Sequence, residues 1–200
     1  VDLFSAMLAH QQQEFVTVLN FGQDFQRPSS GIGHPGIGAP FGIYPTADGH
    51  IAIAMSPFRT LVEVLEAPDL LVFDHPQRLY DERDTVYEQI AAVTARRSTA
   101  AWLEAMLARD LWVAEVKSHL ALRDDPQAVH IGAFVTFKHP TAGQVTAVAP
   151  PVRLAGTPAS IDRPPPLVGE HSRDLLAEAG LAPDAIDALI AAGIVVETRP

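Results

Sequence analysis

Apolar residues recur along the 200-residue chain with a period that changes several times, and each change marks an element. Leu3, Met7, Val18 and Phe21 stand among helix-compatible residues over Val1 to Phe21, with His10, Gln11, Gln12, Gln13 and Glu14 between them and Gly22 as a stop. One helix is expected there. After a glycine-rich stretch, Phe41 to Tyr44 and His50 to Met55 flank Pro45-Thr46-Ala47-Asp48-Gly49, whose Asp-Gly pair offers the positive φ of a hairpin turn. Ser56 is an N-cap candidate and Pro57 an N1 residue for a helix carrying Phe58, Leu61, Val62 and Leu65, ended by Pro68.

Val86, Ile90 and Val93 repeat at i, i+4, i+7 over a charged background, which predicts an amphipathic helix from Tyr80 to Arg97. Thr99 is expected to cap the next, bearing Trp102, Leu103, Met106 and Leu107 and closing near Asp110, while Leu111 to Leu122 fits strand or helix equally. A turn at Asp124-Asp125-Pro126-Gln127 leads to a second hairpin signal, Phe134 to Phe137 and Gln144 to Val148 around His139-Pro140-Thr141-Ala142-Gly143. Pro150 to Pro166 holds six prolines and excludes regular structure. Two short helices follow, one opened by Gly169-Glu170-His171-Ser172 and stopped at Gly180, the other from Asp184 to Ala192 and stopped at Gly193.

The glycine-rich stretch, Ser29 to Gly49, contains a literal G-x-G-x-x-G at Gly31, Gly33 and Gly36. A phosphate-binding turn of that kind needs an apolar strand before it and a helix after it. Here Gln23 to Pro28 is polar and ends in proline, Pro35 interrupts the motif and Pro40 follows it, so the dinucleotide reading is rejected. What remains of Ser29 to Pro40 is a loop whose glycines permit close backbone approach and φ > 0, with His34 as its one ionisable side chain. Composition favours a flexible connector; a mobile lid or substrate loop is the functional alternative.

Charge narrows the partners. The 14 Lys and Arg stand against 24 Asp and Glu, a net charge of −10 with no basic run, so no nucleic acid or anionic membrane surface is expected. No apolar run approaches the roughly 18 residues of a membrane span. The absence of cysteine excludes disulfides and thiol chemistry and fits a cytoplasmic location. The eight histidines lack H-x-x-x-H spacing, so no metal site is expected. Asp124-Asp125 reads as a solvated turn and His171 as part of a capped helix start. No nucleophile elbow is present, and the residues alone show no complete active site.

Several segments, in order along nearly the whole chain, resemble the family III CoA-transferases of the CaiB/BaiF type. They are GIGHPGIGAPFG, YPTADGHIAIAM, LRDDPQ, HPTAG followed by PPVRLAGTP, and PPPLVGEHSRDLLAEAGL with IDALIAAGIVV. The resemblance implies an α/β fold: the C-terminal part of a two-domain protein, with a small α+β domain and helices that return to a Rossmann-like large domain. It divides the chain into a large-domain helix (1–22), a glycine-rich substrate loop or linker (23–40), a small α+β domain (41–120), a returning hairpin and proline-rich linker (121–166), and C-terminal helices packing on the large domain (167–200).

The family's chemistry implies a coenzyme A thioester as substrate and no bound cofactor or metal, with an acyl-CoA and a carboxylate as partners and an interlocked homodimer as the assembly. The nucleophilic aspartate of the family is expected upstream of Val1, so no catalytic residue is assigned within the chain, and Asp2 falls after the expected position. A start at Val1, inside a helical pattern and without methionine, reads as a fragment or processed chain that would be inactive alone. Matched residue by residue, Gly31, Gly33, His34, Pro35 and Gly36 occupy the substrate-binding loop, with His34 where some members carry glutamine; given the resemblance, substrate loop outweighs connector. An acyl-CoA racemase on the same scaffold, moving a proton α to the thioester, is one alternative, and a non-catalytic module that needs a separate N-terminal subunit is another.

Overall fold

The computed structural model describes residues 2–161 and 163–198. The chain divides into two compact units, one up to Val116 and one from Lys117.

In the first unit, α1 (Leu3–His10) and α2 (Gln12–Phe21) replace the single helix expected from Val1 to Phe21. Gln11 lies between them at φ −94°, ψ 17°, although its N–H still reaches Met7 O. Neither helix buries a side chain, so no packing face within this chain holds the two as one straight rod. Asp2 accepts from Ser5 N–H as the N-cap of α1, and Gly22, left-handed at φ 68°, ends α2 as expected.

Strands β1 (Gly42–Pro45) and β2 (His50–Ile53) form the expected antiparallel hairpin, and β3 (Val113–Glu115) adds to the other side of β2. The hairpin turn does not use a left-handed glycine, since Gly49 is not among the positive-φ residues. Thr46 N–H donates to Gly49 O, and Asp48 turns its carboxylate outward to the backbone N–H and hydroxyl of Thr99. A tertiary contact thus supplies what the Asp-Gly signal assigned to local backbone.

Helix α3 (Phe58–Leu65) buries Phe58, Leu61, Val62 and Leu65 and is followed by a 3₁₀ segment, Pro68–Phe73. Pro57, not Ser56, occupies the cap position of α3, because the Ser56 hydroxyl instead accepts from Trp112 N–H. Glu66, left-handed at φ 55°, ends that helix before Pro68 is reached. The span expected as one helix from Tyr80 to Arg97 is α4 (Pro76–Asp81) and α5 (Arg83–Thr94), broken at Glu82. Helix α6 (Thr99–Leu107) is capped by the Ser98 hydroxyl, with Thr99 already inside it.

The alternation of the strands sends Tyr44, Ile51 and Ile53 inward against Leu61, Val62 and Leu65 of α3, Val86 and Ile90 of α5, and Trp102 and Met106 of α6. That is the core of the first unit. For α3, α5 and α6 the helical periodicity read from the sequence therefore named buried positions even where it misplaced the ends, whereas Leu3, Met7 and Phe21 of α1 and α2 stay exposed.

The stretch Leu111 to Leu122, open between strand and helix in the sequence, holds both: β3 in the first unit and, in the second, most of α7 (His119–Arg123), with α8 (Pro126–His130) after it. Asp124, exposed and paired with Arg123, fits the solvated turn expected for the acidic pair, whereas Asp125 caps α8 by accepting from Gln127 and Ala128 N–H, a role the turn reading did not include. Strands β4 (Phe134–His139) and β5 (Gly143–Val148) form the second hairpin, with Gly143 left-handed at φ 73° in its turn. The described residues between Pro150 and Pro166 hold no helix or strand. Helices α9 (Ser172–Glu178) and α10 (Pro183–Ala191) end before left-handed Gly180 and Gly193. His171 stands at the N-cap position of α9, but its side chain makes no capping bond.

Candidate functional site

The glycine loop lies along the edge of β1. Ile32 bridges to Gly42, with Gly33 N–H donating to Phe41 O and Ile43 N–H to Gly31 O. Ala39 N–H donates to Leu79 O, and no helix runs through residues 22–41. Backbone amides at both ends of the loop are therefore paired to neighbouring elements, which a free connector would not show.

Its glycines serve close approach rather than left-handed backbone: Gly31, Gly33, Gly36 and Gly38 are not among the positive-φ residues. A Cβ at Gly31 would fall 2.5 Å from Tyr87 Oη, at Gly33 2.8 Å from the Phe41 ring, at Gly36 2.7 Å from the Phe25 ring and at Gly38 2.7 Å from Leu79 O. The φ > 0 role expected for them is thus corrected. Tyr87, which fills the space beside Gly31, also ties α5 to β1: its Oη donates to Ile43 O and its ring stacks on Tyr44 at 4.6 Å.

Three residues with no local signal in the sequence complete the arrangement. Asp84, in the first turn of α5, accepts from Ser29 N–H at 3.2 Å and Ser30 N–H at 2.9 Å. Ser30, then Ser29, hold its carboxyl down at about 2, against an opposing desolvation. Ser30 Oγ itself is buried without a bond of good geometry. Arg83 donates to Gln26 O and Tyr80 O, fastening the segment that leads into the loop. Glu14 of α2 lies 3.1 Å from His34 Nε2, and this bond is the first cause that keeps the glutamate carboxyl below its usual range.

Of the five residues read as substrate-binding, Gly31 and Gly33 lie along β1, while His34, Pro35 and Gly36 form the outer bend beside α2, Phe25 and Tyr80. Tyr80 Oη donates to Pro35 O at 3.4 Å. Beside Gly33, the sheet face turned away from the core forms an open hollow of about 450 Å³, lined by Phe41, Ile43, Ala52, Trp112 and Ala114 with little polar surface. Among the described residues no three metal-capable side chains converge, and no helix is long and apolar enough to cross a membrane.

The family model described as CoA-transferase family III matches residues 1–172, which takes in the loop and both hairpins. The chain belongs to CoA-transferase family III. It is 26% identical over 175 residues to the human succinyl-CoA:glutarate CoA-transferase, covering 82% of this chain and 39% of that protein. To the succinyl-CoA:mesaconate CoA-transferase of Haloarcula hispanica it is 30% identical over 172 residues, again 82% of this chain and 43% of that protein. The chain thus spans about two fifths of the length of these curated relatives. A crystal structure of a CAIB/BAIF family protein from Brucella suis superimposes with a TM-score of 0.66 at 20% identity, over 88% of this chain and 46% of that one. The mixed α/β arrangement with small antiparallel sheets is therefore the fold of this part of a family III protein.

Proposed function

We propose that this chain supplies the glycine loop and a small α+β unit to an enzyme that moves coenzyme A between an acyl-CoA thioester and a carboxylic acid through an aspartyl-CoA intermediate. The observation that carries the reading is the family match over residues 1–172.

An aspartate oxygen attacks the thioester carbonyl, forming a mixed anhydride and releasing CoA thiolate. The thiolate attacks the aspartyl carbonyl of that anhydride, which yields the enzyme thioester and frees the donor's carboxylate. The acceptor carboxylate repeats the exchange, and CoA leaves on the acceptor with the aspartate restored. In this reading the aspartate comes from outside the 200 residues given, and two copies assemble as an interlocked homodimer. Near the loop, Glu14 and Asp84 are already engaged with His34 and the serine amides, which favours positioning roles for them over attack.

Anhydrides hydrolyse, so such a site must exclude water. A loop fastened by Asp84, Arg83 and the β1 edge suits that need, with Gly31, Gly33, His34, Pro35 and Gly36 meeting the carboxylate substrate. The names of both quoted relatives pair succinyl-CoA with a dicarboxylic acid, which makes dicarboxylates the first acceptors to examine.

The test is to mix the natural gene product with succinyl-CoA and either glutarate or mesaconate. CoA transfer is expected, with a covalent CoA adduct on one aspartate seen by intact-protein mass spectrometry. Absence of both transfer and adduct across a panel of carboxylates overturns the proposal. Deuterium entering the α-carbon of a branched acyl-CoA, with no transfer, would replace it by the racemase.

A further inference from the structure

The imidazole of His34 is tied at both nitrogens. Gly36 N–H donates to Nδ1 at 3.0 Å, and Nε2 lies 3.1 Å from Glu14 Oε1. A backbone amide can only donate, so Nδ1 presents its lone pair. The ring proton then sits on Nε2 and is donated to Glu14. The partners select one tautomer, and the selection begins on α2, twenty residues before the loop.

The surroundings leave the ring little freedom. Phe25 meets it edge to face, with centroids 5.8 Å apart and planes at 72°, and the same Phe25 ring fills the space beside Gly36. The other ionisable groups around the pair are His10, which acts electrostatically on the Glu14 carboxylate, Asp24, which lines the same cleft as Glu14, and Tyr80, whose hydroxyl donates to Pro35 O. None of them bonds to either ring nitrogen.

We propose that Glu14 is a positioning residue for the glycine loop: by accepting the Nε2 proton of His34 it keeps Nδ1 an acceptor, and so holds the Gly36 amide and the 34–36 bend in place. The functional weight of this rests on the reading of the loop as the one that meets the carboxylate substrate.

The test uses the whole chain labelled with ¹⁵N, reading the His34 tautomer from long-range proton–nitrogen spectra and the Gly36 amide by hydrogen exchange. The expected result is the Nε2–H form with a protected Gly36 amide. Glu14→Ala should mix the tautomers and speed Gly36 exchange by about tenfold. Glu14→Gln, whose side-chain carbonyl still accepts from Nε2, should stay near wild type. An Nδ1–H form in the wild type, unchanged Gly36 exchange in Glu14→Ala, or a Glu14→Gln variant as loose as Glu14→Ala overturns the proposal. Titration with succinate separates the two readings: loop amides that do not move, in a protein that passes the first tests, sink the substrate role and leave the positioning role standing.

Discussion

Asp84 belongs to the first turn of α5 but is spent on amides 54 and 55 residues earlier in the chain. Its carboxyl titrates at about 2 where 3.8 is ordinary, so the folded value is the depressed one. The sign follows from linkage: the stabilisation is complete above the unfolded value, near pH 4, and is lost as the pH falls toward 2. Asp84→Asn keeps a single carbonyl acceptor and removes the charge. Urea unfolding should show the variant less stable than wild type at pH 6, with the gap closing between about pH 4 and pH 2. A gap that persists unchanged at pH 2 would mean that the carboxylate does not hold the loop through its charge.

The elements show how far local rules extend before packing overrides them. Periodicity placed Val86 and Ile90, and Trp102 and Met106, on buried faces, because a helix that covers a sheet must put one stripe inward. Boundaries moved where a distant partner competed: Asp48 of the β1–β2 turn reaches Thr99 at the start of α6, and the Ser56 hydroxyl accepts from Trp112 N–H instead of capping α3.

Trp102 joins elements in the same way. Its ring is buried, Nε1 donates to Thr94 O at the end of α5 at 2.7 Å, and the Arg97 guanidinium lies 4.9 Å over it. Trp102→Phe removes that donor from a buried carbonyl and leaves a small void, at a cost of about 2 kcal/mol. Chemical denaturation of the variant measures this directly; a loss under about 0.5 kcal/mol would place the site with ordinary surface positions.

At the scale of the molecule, burial is unevenly shared. The connected hydrophobic core lies wholly within the first unit, whereas in the second only Ala128 and Ile186 are buried among the described hydrophobic residues. Leu3, Phe4, Leu19 and Phe21, on α1 and α2, are three-quarters or more exposed. Local opening costs least where few apolar contacts are broken. Amide exchange of the 200-residue chain should therefore be slowest at Ile51, Ile53 and Ile90 and markedly faster along β4 and β5. Equal protection in the two hairpins would refute the assignment of the stable core to the first unit.

The sequence by itself determined the buried faces of α3, α5 and α6, the rejection of a phosphate-binding turn, the two hairpins, and the ordered motifs that point to CoA-transferase family III. These are carried by short-range periodicity, by proline and glycine, and by motif order, all of which are written in neighbouring residues. Only the tertiary structure decided what holds the glycine loop. Glu14 lies twenty positions before His34, and Asp84 and Tyr87 more than forty after the backbone they bond, so no local spacing connects them. The same holds for the glycines: sequence could say that positions 31, 33 and 36 lacked a side chain, but not that Tyr87, Phe41 and Phe25 take the space, because that depends on which surfaces the folded chain brings within contact.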